Sequence, residues 1–182
     1  MSASSQNLVW IDLEMTGLNC EKDVILEIAT IVTDSNLVPF HEGLSLVIHQ
    51  SDAVLVGMDS WCQVQHKKSG LTEEVRNSLL SLAEAEEQTR EYIGRWCVPQ
   101  TAPLCGNTIF QDRSFLRRYM SLLDAILHYR MVDVSSVKEL VRRWYPQNPA
   151  AAFSKQDRHR ALIDINESIA ELQHYRTYFF QE

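Results

Sequence analysis

The chain has 182 residues, 45% of them hydrophobic, and a formal net charge of −7. That is enough to bury one sizeable core, and residues 1–182 read as a single domain. The acidic balance argues against a general nucleic-acid binder, whose affinity comes from neutralising phosphates. It does not exclude a nucleotide substrate, because bound cations reverse the local field of an acidic site. Basic residues also cluster locally, as Arg113, Arg117, Arg118 and Arg130 and then Arg142 and Arg143. The four cysteines form no CxxC pair and no zinc-type spacing. Residues 1–7 lack the basic and apolar regions of a signal peptide, and no apolar run approaches the ~20 residues of a membrane span. A cytoplasmic protein is expected.

Residues 8–15 read as a buried strand turned by Thr16-Gly17, and residues 24–33 alternate well enough for a second. A third falls within 37–48, so the first three are expected to form an antiparallel meander. Ser81-Leu82-Ala83-Glu84 has the capping-box pattern. It should start a helix that ends before Pro99 and buries Ala85, Tyr92, Ile93 and Trp96. Residues 103–107 make a short strand, and Asp112 opens a helical stretch with the apolar stripe Phe115, Leu116, Tyr119 and Met120. After another short strand at 131–134, Ser135 is expected to cap a helix with Val137, Leu140, Val141 and Trp144 inward. A loop over 146–157 leads to a last helix from about 160, with Leu162, Ile165, Ile169 and Leu172 buried. This order predicts an α/β fold, a mixed five-stranded sheet flanked by helices, of the ribonuclease-H-like kind.

The chemistry concentrates in four carboxylates and a histidine. Alternate side chains share a strand face, so Asp12 and Glu14 point the same way while Ile11 and Leu13 point oppositely. Two adjacent carboxylates on an apolar strand repel and lose hydration, a poor core but a good cation cradle. Asp112 stands at a strand–helix junction, and His159 and Asp164 close the set as H-x-x-x-x-D. Two Mg²⁺ or Mn²⁺ ions about 3.5–4 Å apart would suit such a set and would favour in-line attack on a phosphodiester. His159, neutral near pH 7, is the natural general base. Five residues turn a helix by about 140°, so His159 and Asp164 cannot share a face if both are helical, and His159 is expected in the loop or first turn. Taken singly, Asp112 reads as a helix cap, Asp164 as a surface acid, and Glu27 on the next strand as a bystander.

The order D-x-E, then D, then H-x-x-x-x-D resembles the DEDD superfamily of 3′→5′ exonucleases in its histidine-bearing subclass. The stretch from Val9 to Leu18 is similar to the opening of the oligoribonuclease family. So are His49-Gln50-Ser51-Asp52, Met58-Asp59-Ser60-Trp61, Ser69-Gly70-Leu71, Cys105-Gly106-Asn107, Gln111-Asp112-Arg113, His128-Tyr129-Arg130, Asp133-Val134-Ser135, Lys138-Glu139-Leu140 and Glu167 to Leu172. The resemblance spans nearly the whole chain. It implies a homodimer that removes nucleotides from very short RNA, chiefly dinucleotides, and releases nucleoside 5′-monophosphates. It further implies that Asp12, Glu14, Asp112 and Asp164 hold two divalent cations and that His159 is the base. Leu18 would wedge beside the bases, and Trp61 and His66 would line the 3′ nucleotide pocket. Tyr129 of the partner would close the 5′ base side, and Thr108, Arg130 and Ser135 would receive the 5′ phosphate. Two positions depart from the family pattern: Thr108 stands where Ser is usual, and Phe110 replaces a smaller residue.

The absence of a long basic track or a row of aromatic platforms also favours a short substrate. The nearest rival is an exonuclease indifferent to length. A catalytically silent nucleotide-binding module and a purely structural protein leave the acidic set unexplained.

Overall fold

The computed structural model of the protein describes residues 3–154 and 160–180. Five strands form one mixed sheet: β1 (Leu8–Met15), β2 (Ile25–Thr33), β3 (Leu44–Val47), β4 (Leu104–Gly106) and β5 (Met131–Asp133), in the spatial order β3-β2-β1-β4-β5. The meander is present, since β1 pairs antiparallel with β2, and β2 with β3. β4 runs parallel to β1, and β5 parallel to β4. The helices are α1 (Asp52–Val56), α2 (Ser60–Ser69), α3 (Leu71–Asn77), α4 (Leu82–Gly94), α5 (Phe110–Tyr119), α6 (Ser121–Ile126), α7 (Val134–Trp144) and α8 (Ala161–Phe179). None of the described helices is long and apolar enough to cross a membrane.

Strand β1 is the axis of the molecule, and its alternation builds two cores. Val9, Ile11 and Leu13 pack with Ala85, Tyr92, Ile93, Phe115, Leu116 and Leu123 from α4, α5 and α6. Trp10 turns the other way and packs with Val141, Ile165 and Ile169 from α7 and α8. Complete burial of a side chain such as Ile11 stabilises the fold by about 2–3 kcal/mol. The indole N–H of Trp10 would be orphaned there, and it donates to the Thr33 hydroxyl at 3.1 Å. Asp12 and Glu14 continue the Trp10 face, so period-two geometry alone aims both carboxylates at α8.

Several local expectations are corrected. Residues 52–77, to which the sequence reading assigns no element, fold as α1, α2 and α3. α1 is only 5 residues long, too short for a 3.6-residue pattern to register. Side-chain caps from Ser51 and Asp59 start α1 and α2, and Gly70, at φ +82°, ends α2. Ser135 does not cap α7. Asp133 does, accepting from the backbone N–H groups of Ser135 and Ser136, and a carboxylate also suits the positive end of the helix. Leu140 and Trp144 do not face inward: they are 43% and 67% exposed. Asp112 lies within the first turn of α5, which begins at Phe110. Trp96 falls beyond the end of α4 but still stacks on Phe40 at 5.0 Å. Arg113 contributes little to any basic patch, because it is buried, with its Nε 2.8 Å from Asp124 Oδ1.

Candidate active site

Asp12, Glu14 and Asp164 meet where β1 passes under the first turn of α8. Each offers a carboxylate oxygen, and the three atoms lie within 4.8 Å of one another. Burial and the like charges of Asp112, Asp164, Glu14 and Glu27 hold Asp12 well above the usual carboxylate range. Glu14 is pushed up to about 8, first by burial and then by Asp164 and Glu27, with Arg160 acting against them. Such a cluster holds protons unless cations replace them, and hard oxygen donors at this spacing fit Mg²⁺ or Mn²⁺.

Asp112 stands just outside that triplet. Its Oδ1 accepts from the Leu13 N–H at 3.0 Å, which ties the first turn of α5 to β1 between the two strand carboxylates. Burial raises its pKa to about 7, opposed by its backbone hydrogen bonds. Its charge is also the strongest of those that raise Asp12, so the four acids form one electrostatic unit. His159, the expected base, lies outside the described residues.

Glu14 opens onto a cavity of about 400 Å³ lined by Leu13, Leu18, Trp61, Cys62 and His66. Leu18 is 73% exposed and Trp61 58%, so both offer apolar surface to a ligand. His66 is buried, with Nε2 2.8 Å from the Met15 carbonyl and Nδ1 3.8 Å from Glu14 Oε2. The Leu18 loop is folded around Asp23, whose carboxylate accepts from the Thr16 hydroxyl and the Asn19 N–H. A Cβ on Gly17 would come within 2.5 Å of that carboxylate, so a side chain there would push Asp23 out of its present position. The amide of Gln111 donates to the Leu18 carbonyl, a support absent from the sequence reading.

At the ends of β4 and β5, Thr108 and Ser135 come together. The Thr108 N–H donates to Asp133 Oδ1 and Ser135 Oγ, and the two hydroxyls are 3.1 Å apart. Thr108 adopts φ +53°, a left-handed conformation that a β-branched residue tolerates poorly. Behind them the Ser135 hydroxyl donates to Asn107 Oδ1, and Asn107 Nδ2 donates to Ser168 and to the fully buried Glu171. Lys138 neutralises Glu171 at 2.8 Å, and the Ser168 hydroxyl donates to the Asp164 carbonyl. Arg130 precedes β5 whereas Ser135 follows it, so within one chain on the order of 10 Å of strand separates them. Arg130 instead lies 5.3 Å over the ring of Tyr129, which is itself 69% exposed.

Comparison with known proteins accords with this geometry. Residues 9–172 match the family model described as exonuclease. The oligoribonuclease of Pseudomonas fluorescens is 56% identical over 176 residues, covering 97% of each chain. The chain belongs to the oligoribonuclease family. The Photorhabdus laumondii oligoribonuclease is 52% identical over 181 residues, covering 100% of this chain and 99% of its own. Among solved structures, Escherichia coli exonuclease I in a zinc-bound complex with single-stranded DNA superposes with a TM-score of 0.75 at 14% identity. The match covers 100% of this chain and 42% of that one. Exonuclease I of Methylocaldum szegediense gives 0.70 at 20% identity, covering 96% and 41%. The chain thus spans about two fifths of those proteins, and the likeness shows the ribonuclease-H-like exonuclease fold.

Proposed function

We propose that this 3′→5′ exoribonuclease hydrolyses very short RNA, chiefly 5′-phosphorylated dinucleotides, to nucleoside 5′-monophosphates. The observation that carries the reading is the convergence of Asp12, Glu14 and Asp164 within 4.8 Å at the mouth of a nucleotide-sized cavity. Asp12, Glu14, Asp112 and Asp164 would hold two divalent cations. Bound there, the cations would supply Lewis-acid chemistry, lowering the pKa of a water and offsetting negative charge at the scissile phosphate. His159 would take the proton of the attacking water as its oxygen bonds to phosphorus; the bond from phosphorus to the 3′ oxygen breaks, and that oxygen leaves as a hydroxyl after taking a proton from solvent. Leu18 and Trp61 hold the terminal base, and His66 closes the floor of its pocket.

The far end limits substrate length. Thr108 would offer its hydroxyl to a 5′ phosphate, and Ser135, whose hydroxyl otherwise donates to Asn107 Oδ1, would turn to the same phosphate. Arg130 and Tyr129 act as one unit, since the guanidinium lies over the ring. With Tyr129 supplied by the partner of a homodimer, Arg130 comes with it, which explains why it stands apart from Ser135 in its own chain. The arginine adds a charge-assisted contact to the doubly charged terminal phosphate. Incubating the protein with 5′-labelled and 3′-labelled RNA in Mn²⁺ or in EDTA tests the reaction. Nucleoside 5′-monophosphates released first from the 3′ end, with Mn²⁺ only, are expected; endonucleolytic fragments or metal-independent cleavage would overturn it.

A further inference from the structure

Helix α8 starts at Ala161, and Arg160 at its N-cap gives no side-chain hydrogen bond to the orphan N–H groups of the first turn. Such an end frays unless something else holds it. That turn carries Asp164, and without cations the site works against it, because Asp12, Glu14 and Asp164 crowd carboxylate oxygens within 4.8 Å. The Arg160 guanidinium supplies the hold. Its Nε is 3.1 Å from Glu27 Oε2 and an Nη is 3.3 Å from Oε1, and the Ser45 hydroxyl donates to the same carboxylate at 2.7 Å. Both Nη atoms also reach the two oxygens of Glu74 at 2.8 Å. Glu27 is 1% exposed and lies opposite Glu14 in the β1–β2 register, so the first fork anchors α8 to the strand beside the site. Glu74 lies on α3 and is exposed, so water screens the second fork.

The Arg160 carbonyl accepts from the Ile163 and Asp164 N–H groups at 2.9 and 3.0 Å. The anchored residue and the turn that carries Asp164 are therefore one hydrogen-bonded unit. We propose that Arg160 is a positioning residue for Asp164: its fork to Glu27 takes the place of a helix cap and keeps the Asp164 carboxylate against Asp12 and Glu14. This rests on reading Asp164 as a cation ligand. The planar guanidinium uses a fixed donor geometry that a lysine ammonium cannot reproduce, so Arg160→Lys separates direction from charge.

Amide hydrogen exchange in EDTA reads the turn itself, and calorimetric titration with Mn²⁺ reads the consequence. Arg160→Lys should speed exchange at Ile163 and Asp164 about 5-fold or more, as loss of a helix cap does, with Ile169 and the β1 amides unchanged. It should weaken Mn²⁺ binding by a similar factor and add nothing to the loss in Asp164→Asn, because the two act through one carboxylate. Glu74→Gln, which removes only the screened fork, should change either readout by less than about 2-fold. Unchanged exchange at Ile163 and Asp164 in Arg160→Lys would overturn the proposal, as would Mn²⁺ losses that multiply with those of Asp164→Asn. Should Arg160→Lys fold poorly, Glu27→Gln combined with Arg160→Met leaves no unpaired buried charge and must show the same faster exchange. Wild-type Mn²⁺ affinity in Asp164→Asn, with exchange still faster in Arg160→Lys, would refute the ligand reading and not the anchoring of the turn.

Discussion

Replacing Glu14 by Gln should abolish turnover and yet stabilise the metal-free protein. Glu14 is raised from an ordinary 4.5 to about 8, which is on the order of 5 kcal/mol against its ionised form. The linkage has a definite sign. In the unfolded chain Glu14 ionises near 4.5, while in the fold it keeps its proton until about 8. The stability this proton contributes is therefore complete below about pH 4.5 and is lost progressively as pH rises to 8. A neutral amide removes the loss, and relief of like charge on Asp12 adds to the gain. Allowing for relaxation of the cluster, about 2–3 kcal/mol should be recovered at pH 8.5, or roughly 5–10 °C in Tm for a chain of this size. Calorimetry in EDTA at pH 5 and 8.5, with and without Mn²⁺, measures it. Glu14→Gln should exceed the wild type at pH 8.5 and approach it at pH 5, while Mn²⁺ should stabilise the wild type far more. A Glu14→Gln protein no more stable than the wild type in EDTA at pH 8.5 would refute the argument that the acids repel.

Other consequences follow from the same geometry. Divalent-cation affinity should climb between pH 6 and 9, because Glu14 and Asp112, raised to about 8 and about 7, must release protons on binding; titration calorimetry in two buffers of different ionisation heat would detect them. His159→Ala should lose about 10²–10⁴-fold in kcat while still binding dinucleotide with Mn²⁺, and unchanged turnover removes the base assignment. Arg130→Ala should weaken binding of 5′-phosphorylated dinucleotide by about 1.5–3 kcal/mol with little effect on Mn²⁺ affinity; equal wild-type affinity for phosphorylated and unphosphorylated dinucleotides would count against the phosphate contact. Lys138→Met should cost about 3 kcal/mol in urea unfolding, since it strips the ammonium from fully buried Glu171.

What could be read in the sequence was what local period encodes. Alternation along Val9–Glu14 placed the hydrophobic side chains on one face and aimed two carboxylates at the other, as β1 does. The capping box at Ser81–Glu84 started α4 as expected. Other features depended on partners distant in the chain. Glu27 read as a bystander because its guanidinium lies 133 residues away, and no periodicity links the two. Asp133 and Ser135 are both good caps, and only the pairing of β4 with β5 decides that the carboxylate caps while the hydroxyl turns to Asn107 and Thr108. Leu140 and Trp144 satisfied the inward stripe of α7, yet the helix lies on the sheet along a narrower line through Val134 and Val141.

The most direct test of the account is turnover of 5′-phosphorylated RNAs of two to twenty residues with Mg²⁺, Mn²⁺ or EDTA. A metal-dependent rate that falls steeply beyond two residues is the predicted result. A rate independent of length would contradict the capped pocket, and no cleavage in any metal would contradict the hydrolytic reading itself.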